Sequence, residues 1–240
     1  MQVYMEDKEK QNQWLKLWHQ FHSTCKSYRL LEDGDKVLVG LSGGKDSLAL
    51  VELLGNQARI FKPKIEVIAV HVRVENRNYL SDLSYLSDFC AQWGVPFYTR
   101  DTRIIGEEKK DPCFLCSWYR RKCLFEFAIA QGCNKIALGH HTDDVLDTLM
   151  LNLVYAGRFD SIRPSLQLDK MPLTIIRPLY GTDEKDISSY ASLRHYKQQE
   201  HLCPFETHSK RHSMQDLLKR MQQLSPNVRS NLMHALEREL

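Results

Sequence analysis

The sequence predicts an α/β protein: a doubly wound, mostly parallel sheet with a small helical appendage at its C-terminal end. Short β-rich runs recur at residues 36–40, 65–72, 96–99 and 135–138, and stretches of helical periodicity separate them at 47–57, 81–93, 118–131 and 143–155. Alternation of this kind builds right-handed βαβ units on a parallel sheet, with ligand sites at the carboxyl ends of the strands. Within the first run, Val37-Leu38-Val39 is apolar without a break, as expected of a strand covered on both faces.

Ahead of that strand, Trp14, Leu17, Trp18 and Phe21 fall at helical spacing and predict an amphipathic helix over 11–28, punctuated by Asp33-Gly34-Asp35. After Gly157 the pattern changes: a Pro-marked stretch leads to an isolated β-like run at 173–176 and then to mostly polar helical sequence. The expected organisation is an N-terminal helix (1–30), a core domain (31–180) and a helical C-terminal region (181–240). At 240 residues and 42% hydrophobic content, the chain can bury one sizeable core. No apolar run reaches the ~20 residues of a membrane span, and Met1 to Lys10 lacks the apolar stretch of a secretion signal. A cytoplasmic protein with no membrane partner is expected. In that compartment seven cysteines, an odd number, point to metal binding, catalysis or burial rather than a disulfide framework. A net charge of only +3 means that a nucleic-acid partner must be held by a local basic patch.

The first strand runs into Leu41-Ser42-Gly43-Gly44-Lys45-Asp46-Ser47, and a helix pattern follows. Glycines let backbone N–H groups approach an anion, the helix N-terminus adds partial positive charge, and Lys45 adds a full one. Polyphosphate suits this constellation. The spacing is not that of a Walker A loop, in which Ser or Thr follows the lysine. The block instead resembles the Ser-Gly-Gly-x-Asp-Ser signature of the N-type ATP pyrophosphatases, the PP-loop superfamily, whose fold is the Rossmann-like adenine nucleotide alpha hydrolase type. That resemblance implies ATP as substrate, cleavage between the α and β phosphates, transfer of AMP to a substrate oxygen, and Asp46 helping to hold Mg2+. His71, with Val72, closes the second strand pattern where the superfamily places adenine; the backbone there is a stronger candidate than the imidazole.

A second segment, Gly139-His140-His141-Thr142-Asp143-Asp144, continues the strand at 135–138 and enters the next helix, with Thr142 or Asp143 expected as its N-cap. Two carboxylates and two imidazoles at a strand's carboxyl end suit a magnesium site or acid–base work better than a purely structural role. Together with Asn152 and Tyr155-Ala-Gly157, the segment is similar to the Gly-His-x-x-Asp-Asp block of the tRNA-thiolating branch, the tRNA 2-thiocytidine synthetase family. Arg177-Pro178-Leu179 and Glu184-Lys185-Asp186-Ile187 also match that family. The resemblance covers roughly residues 30 to 205.

Cys113-Phe-Leu-Cys116 heads a helical pattern, where the helix N-terminus and Arg120, Arg121 and Lys122 favour thiolates. No second C-x-x-C completes a four-cysteine zinc site. Cys203, before Pro204, is the other cysteine in a Pro-marked loop, and three thiolates can hold an iron–sulfur cluster with one open iron. The resemblance implies such a set: Cys113, Cys116 and Cys203 around a 4Fe-4S cluster that carries sulfur. Two alternatives stay open: Cys123 replaces Cys203 as third ligand, or the same cysteines form a disulfide or persulfide pair. Cys25, Cys90 and Cys133 read as buried small hydrophobes.

Basic residues punctuate both ends: Lys8, Lys10, Lys16 and Lys26, and then Lys210, Arg211, His212, Lys219, Arg220, Arg229 and Arg238. They suit either solvated helix faces or an RNA backbone. The expected activity is thiolation of tRNA. The O2 of an anticodon-loop cytidine attacks the α-phosphate, sulfur then displaces AMP, and Asp46, Asp143 and Asp144 manage magnesium. Arg120 or Arg177 would stabilise phosphate charge. A sulfur donor such as a cysteine desulfurase is the further partner implied, and the family's paired subunits make a homodimer another. The rival readings are a tRNA-lysidine synthetase-like adenylating enzyme, a phosphoadenylylsulfate-type reductase, and a non-thiolating ATP- or RNA-binding member.

Overall fold

The computed structural model describes residues 2–75, 81–105, 112–197 and 210–239. Its centre is a six-stranded sheet in the order β3-β2-β1-β4-β6-β5. The strands are β1 (Lys36–Gly40), β2 (Glu66–Val74), β3 (Phe97–Thr102), β4 (Lys135–Ala137), β5 (Ser165–Gln167) and β6 (Thr174–Ile176). Every pairing is parallel except β5 with β6. The doubly wound, mostly parallel sheet expected from the sequence is therefore present. Strand β2 runs three residues past His71, and β5, too short to show a period, lies between the expected elements.

Side-chain alternation along β1 and β2 divides the core in two. Val37 and Val39 of β1, with Val67 and Ala69 of β2, face a cluster built by α1 (Gln2–Ser27), α2 (Lys45–Ala58), α3 (Leu83–Gln92) and α6 (Glu184–Leu193). Leu38, Ile68 and Val70 face the other way, onto Leu124, Phe127 and Ala128 of α4 (Pro112–Ala130). Burial of each of the Val, Leu, Ile and Phe side chains among these is worth about 1.5–3 kcal/mol. Cys25, Cys90 and Cys133 lie in these cores as small hydrophobes. Burial pushes the first two thiols up to about 12, so they stay protonated.

Helix α4 starts six residues before the expected pattern, with proline in its first position, where the missing N–H has no intrahelical partner to lose. It links β3 back to β4 and therefore begins on the carboxyl edge of the sheet, the same rim as the loops after β1 and β4. Helix α5 (Thr142–Leu151) passes into one π turn (Asn152–Ala156) that ends on Gly157 in the left-handed conformation. Helices α7 (Lys210–Leu224) and α8 (Val228–Glu237) cover α5. Met214 and Leu218 pack on Leu146 and Met150, and Leu236 packs on Val145 and Leu149. Helix α1 is tied to α6 through Asp186, which takes Lys16 Nζ at 2.6 Å and Gln20 Nε2 at 3.0 Å. Among the described residues, no helix is long and apolar enough to cross a membrane.

Candidate active site

The strand order reverses between β1 and β4, which opens a crevice at their carboxyl ends. Both chemistry-bearing segments meet there. Leu41 continues the ladder through its N–H to Val70 O, and the chain then turns at Gly43, whose φ of 90° a side chain would resist. Ser47 Oγ organises the turn: it accepts from Gly43 N at 3.1 Å and donates to Gly44 O at 2.9 Å. Gly44 is the N-cap of α2 and offers no side-chain cap, so the first N–H groups of the helix have no side-chain acceptor of their own there. The arrangement is suited to an anion.

Gly139 lets the second segment reach the first. A Cβ at this position would lie 3.1 Å from the Asp46 carbonyl carbon and 3.2 Å from Ser47 N. With hydrogen in its place, β4's extension presses against the start of α2. This contact brings His141 among three carboxylates: Nε2 is 3.8 Å from Asp46 Oδ1 and 3.5 Å from Asp144 Oδ2, and Nδ1 is 3.8 Å from Asp143 Oδ2. His141, not Thr142 or Asp143, is the N-cap of α5. Its backbone N–H donates to Asp144, while the Thr142 hydroxyl donates instead to Tyr180 O.

Lys45 Nζ lies 3.2 Å from Asp46 Oδ1 and 2.9 Å from Glu184 Oε1, at the head of α6. Burial acts on this ammonium most strongly and downward, but Asp46 and Glu184 together outweigh it and hold its pKa above the ordinary value. Burial raises the Asp46 carboxyl above the ordinary carboxylate value, opposed by Lys45 and His141 and assisted by Asp144. Asp46 Oδ1 is buried and, apart from its ion pair with Lys45, takes no hydrogen bond. Such an oxygen fits a hard cation. Among the described residues, no three His, Cys, Asp or Glu side chains gather closely enough to hold a metal by themselves. Mg2+ would therefore complete its shell with phosphate oxygens and water.

Arg177, directly after β6, is buried and reaches the same crevice. Its Nε donates to His140 Nδ1 at 3.2 Å and its Nη1 to Arg163 O. Burial lowers its pKa, and the nearby Asp144 pulls the other way. His71 is inside the protein: its Nδ1 donates to Leu41 O at 2.7 Å, and its Nε2 then faces the Ser81 hydroxyl at 2.8 Å. The imidazole braces the phosphate loop from behind, and Val72 beside it is half-buried.

Sequence reasoning named Asp143, Glu184 and Arg229 separately but did not join them. Arg229 of α8 lies 2.7 Å from Asp143 Oδ1 and 3.3 Å from Asp183 Oδ1, while Asp143 Oδ2 accepts the Glu184 N–H at 2.8 Å. Both Asp143 oxygens thus tie the C-terminal helices to the crevice. A cleft of about 610 Å3 opens beside this tie, lined by Lys185, Ser230 and His234 among others.

Arg120 is half-buried on α4, one turn after Cys116. Cys116 is a free, half-buried thiol one helical turn after Cys113, so the two occupy one face of α4 at the sheet's carboxyl rim. The Cys116 thiol suits a soft-metal cluster, and Cys113 stands one helical turn before it in the chain. The Cys113 side chain and all of Cys203 lie outside the described residues. Cys123 is two turns further on, about 10 Å along the axis, and burial followed by Glu126 raises its thiol pKa. Both features disfavour it as a partner ligand of Cys116.

The PP-loop domain family profile matches residues 11–203. The tRNA-cytidine(32) 2-sulfurtransferase of Hahella chejuensis is 36% identical over 220 residues, covering 89% of this chain and 76% of that protein. The protein of the same name from Marinobacter nauticus is 41% identical over 175 residues, covering 70% of this chain and 57% of its own length. Among solved structures, the U34-tRNA thiolase NcsA from Methanococcus maripaludis with its 4Fe-4S cluster is similar at a TM-score of 0.78 and 25% identity, covering 95% of this chain and 79% of that one. NH3-dependent NAD synthetase from Campylobacter jejuni shares the fold alone, at a TM-score of 0.51 and 15% identity, over 94% of this chain and 93% of its own. With its phosphate loop on the reversal point of the sheet and the family profile running over most of its length, this chain belongs to the PP-loop family.

Proposed function

We propose that this chain is an ATP-dependent tRNA sulfurtransferase that adenylates an anticodon-loop cytidine and replaces its O2 with sulfur. The observation that carries this reading is the meeting of Lys45, Asp46 and Asp144 at one crevice, with Cys116 heading a helix on the same rim. The names of the relatives support it: proteins 36% and 41% identical are tRNA-cytidine(32) 2-sulfurtransferases. Cytidine 32 is accordingly the base we assign.

ATP lies on Leu41 to Ser47, with its phosphates against the Gly43 and Gly44 N–H groups and Lys45. The cytidine O2 attacks the α-phosphorus, the bond to the β-phosphate oxygen breaks, and pyrophosphate leaves. Arg177, and Arg120 from α4, offset the charge that builds on the phosphate oxygens. Sulfur then adds at C2, and O2 departs as part of AMP. Asp46 and Asp144, with Asp143 behind them, would hold Mg2+, which would neutralise phosphate charge. Cys113, Cys116 and Cys203 would hold a 4Fe-4S cluster, which would supply a Lewis-acidic iron for the sulfur-transfer step. A cysteine desulfurase is a suitable donor, the cytoplasm a suitable compartment, and a homodimer a fitting assembly.

Nucleoside mass spectrometry of bulk tRNA tests the reading. Deletion of the gene should abolish 2-thiocytidine, and the wild-type gene but not Asp46→Asn should restore it. Unchanged 2-thiocytidine in the deletion strain sinks the substrate assignment.

A further inference from the structure

The stripe of α4 that faces away from the sheet is unusual for a solvated helix. Phe114 is 55% and Trp118 44% exposed, and Arg121 and Lys122, three and four residues after Trp118, are exposed beside them. Spacings of three and four put these side chains on one face. The adjoining stripe, with Leu124, Phe127 and Ala128, is buried against the sheet. Lys122 Nζ sits 5.6 Å from the Trp118 ring centroid, and Tyr119 meets the same indole edge-on at 4.9 Å. Tyr119 is itself fixed by its hydroxyl, which donates to Ile105 O at 2.7 Å. The carboxylate beside this stripe, Glu126, is 3.9 Å from Lys122.

We propose that Phe114, Trp118, Arg121 and Lys122 form an RNA-stacking surface, on which an unpaired base of a tRNA loop lies while its phosphates meet the two cations. The proposal rests on the tRNA reading above and adds the place of contact. Planar aromatics interleaved with guanidinium and ammonium groups are the chemistry that recognises single-stranded RNA. A second copy of this chain is a poorer occupant, because a symmetric pairing of this face would set its two cations against their own copies. The cations expected from sequence are partly committed elsewhere: Lys16 to Asp186, Arg229 to Asp143, Lys219 to Asp216. Location agrees as well. The stripe starts in the first turns of α4, the end of the helix that lies on the carboxyl rim of the sheet.

Trp118 is the most exposed of the four tryptophans, the other three being half-buried, so its fluorescence reports on the surface. The full chain is titrated with an unmodified tRNA transcript while tryptophan emission, acrylamide quenching and Kd are followed. Wild type should lose emission and gain protection from acrylamide. Trp118→Ala should weaken Kd about tenfold, and Trp118→Phe should keep most of the affinity. Arg121→Gln with Lys122→Gln should weaken binding and flatten its salt dependence by roughly 1.4 in log–log slope. Unchanged affinity in Trp118→Ala and in the double variant overturns the proposal while leaving the tRNA reading intact. If the wild type itself binds no tRNA, that reading falls too. Should Trp118→Ala turn a dimer into a monomer with tRNA affinity unchanged, the surface belongs to a second copy and the proposal is wrong.

Discussion

In the proposed mechanism, Asp46 is the residue on which adenylation turns. Its carboxyl is pulled in two directions: burial, the largest influence, favours the protonated form, while Lys45 and His141 favour the ionised one. The net result is a pKa above the ordinary 3.8. Only the ionised form attracts magnesium. Activity should therefore be lost as pH falls through this raised value, at higher pH than an unperturbed carboxylate would give. The acid limb of kcat/KM for pyrophosphate release measures this, and an acid limb at or below the ordinary carboxylate range contradicts it. This residue was legible in the sequence because Ser42 to Ser47 are contiguous and their order alone names the chemistry. His71 was legible only in part. That a buried imidazole holds Leu41 O depends on a 30-residue crossover that sequence spacing does not encode.

At the level of elements, the site is made by three junctions: β1 with α2, β4 with α5, and β6 with α6. Gly139 sets the distance between the first two. Gly139→Ala forces its new methyl against the backbone of Asp46 and Ser47, which is not a flexible side-chain end that can step aside. We expect kcat/KM for pyrophosphate release to fall on the order of ten- to a hundredfold, with the thermal unfolding midpoint changed little. A variant as active as wild type contradicts this role. The third junction carries the Asp143–Arg229 tie, in which each side chain is 23% exposed. Because both are partly hydrated, Arg229→Met should destabilise the chain by about 1–2 kcal/mol in urea titrations, and Arg229→Lys by less; equal losses in the two variants count against a charge tie. Neither Arg229 nor Glu184 could be placed from sequence. Their partners lie 86 and 139 residues away and are chosen by how helices pack, whereas a glycine-rich loop is a local property.

For the whole molecule, the strand order joins the two halves of the proposed chemistry. Helix α4 must begin on the carboxyl rim because it returns from β3 to β4, and this places the Cys116 turn on the same edge as the phosphate loop. The sequence pattern gave away the alternation of strands and helices. It hid β5, whose three residues hold no period, and the six-residue extension of α4. It showed the apolar face of the N-terminal helix, where Leu17 and Phe21 are buried, but not which neighbour that face or the C-terminal helices would meet. The central claim is that one chain couples ATP cleavage to sulfur insertion in tRNA. The direct measurement is an anaerobic reaction of reconstituted protein with ATP, Mg2+, sulfide and unmodified tRNA, with AMP and 2-thiocytidine quantified in the same samples. AMP and 2-thiocytidine should form in equal amounts, and both should be lost in Asp46→Asn; AMP formed from a cluster-loaded protein with no thiolated base would contradict this coupling.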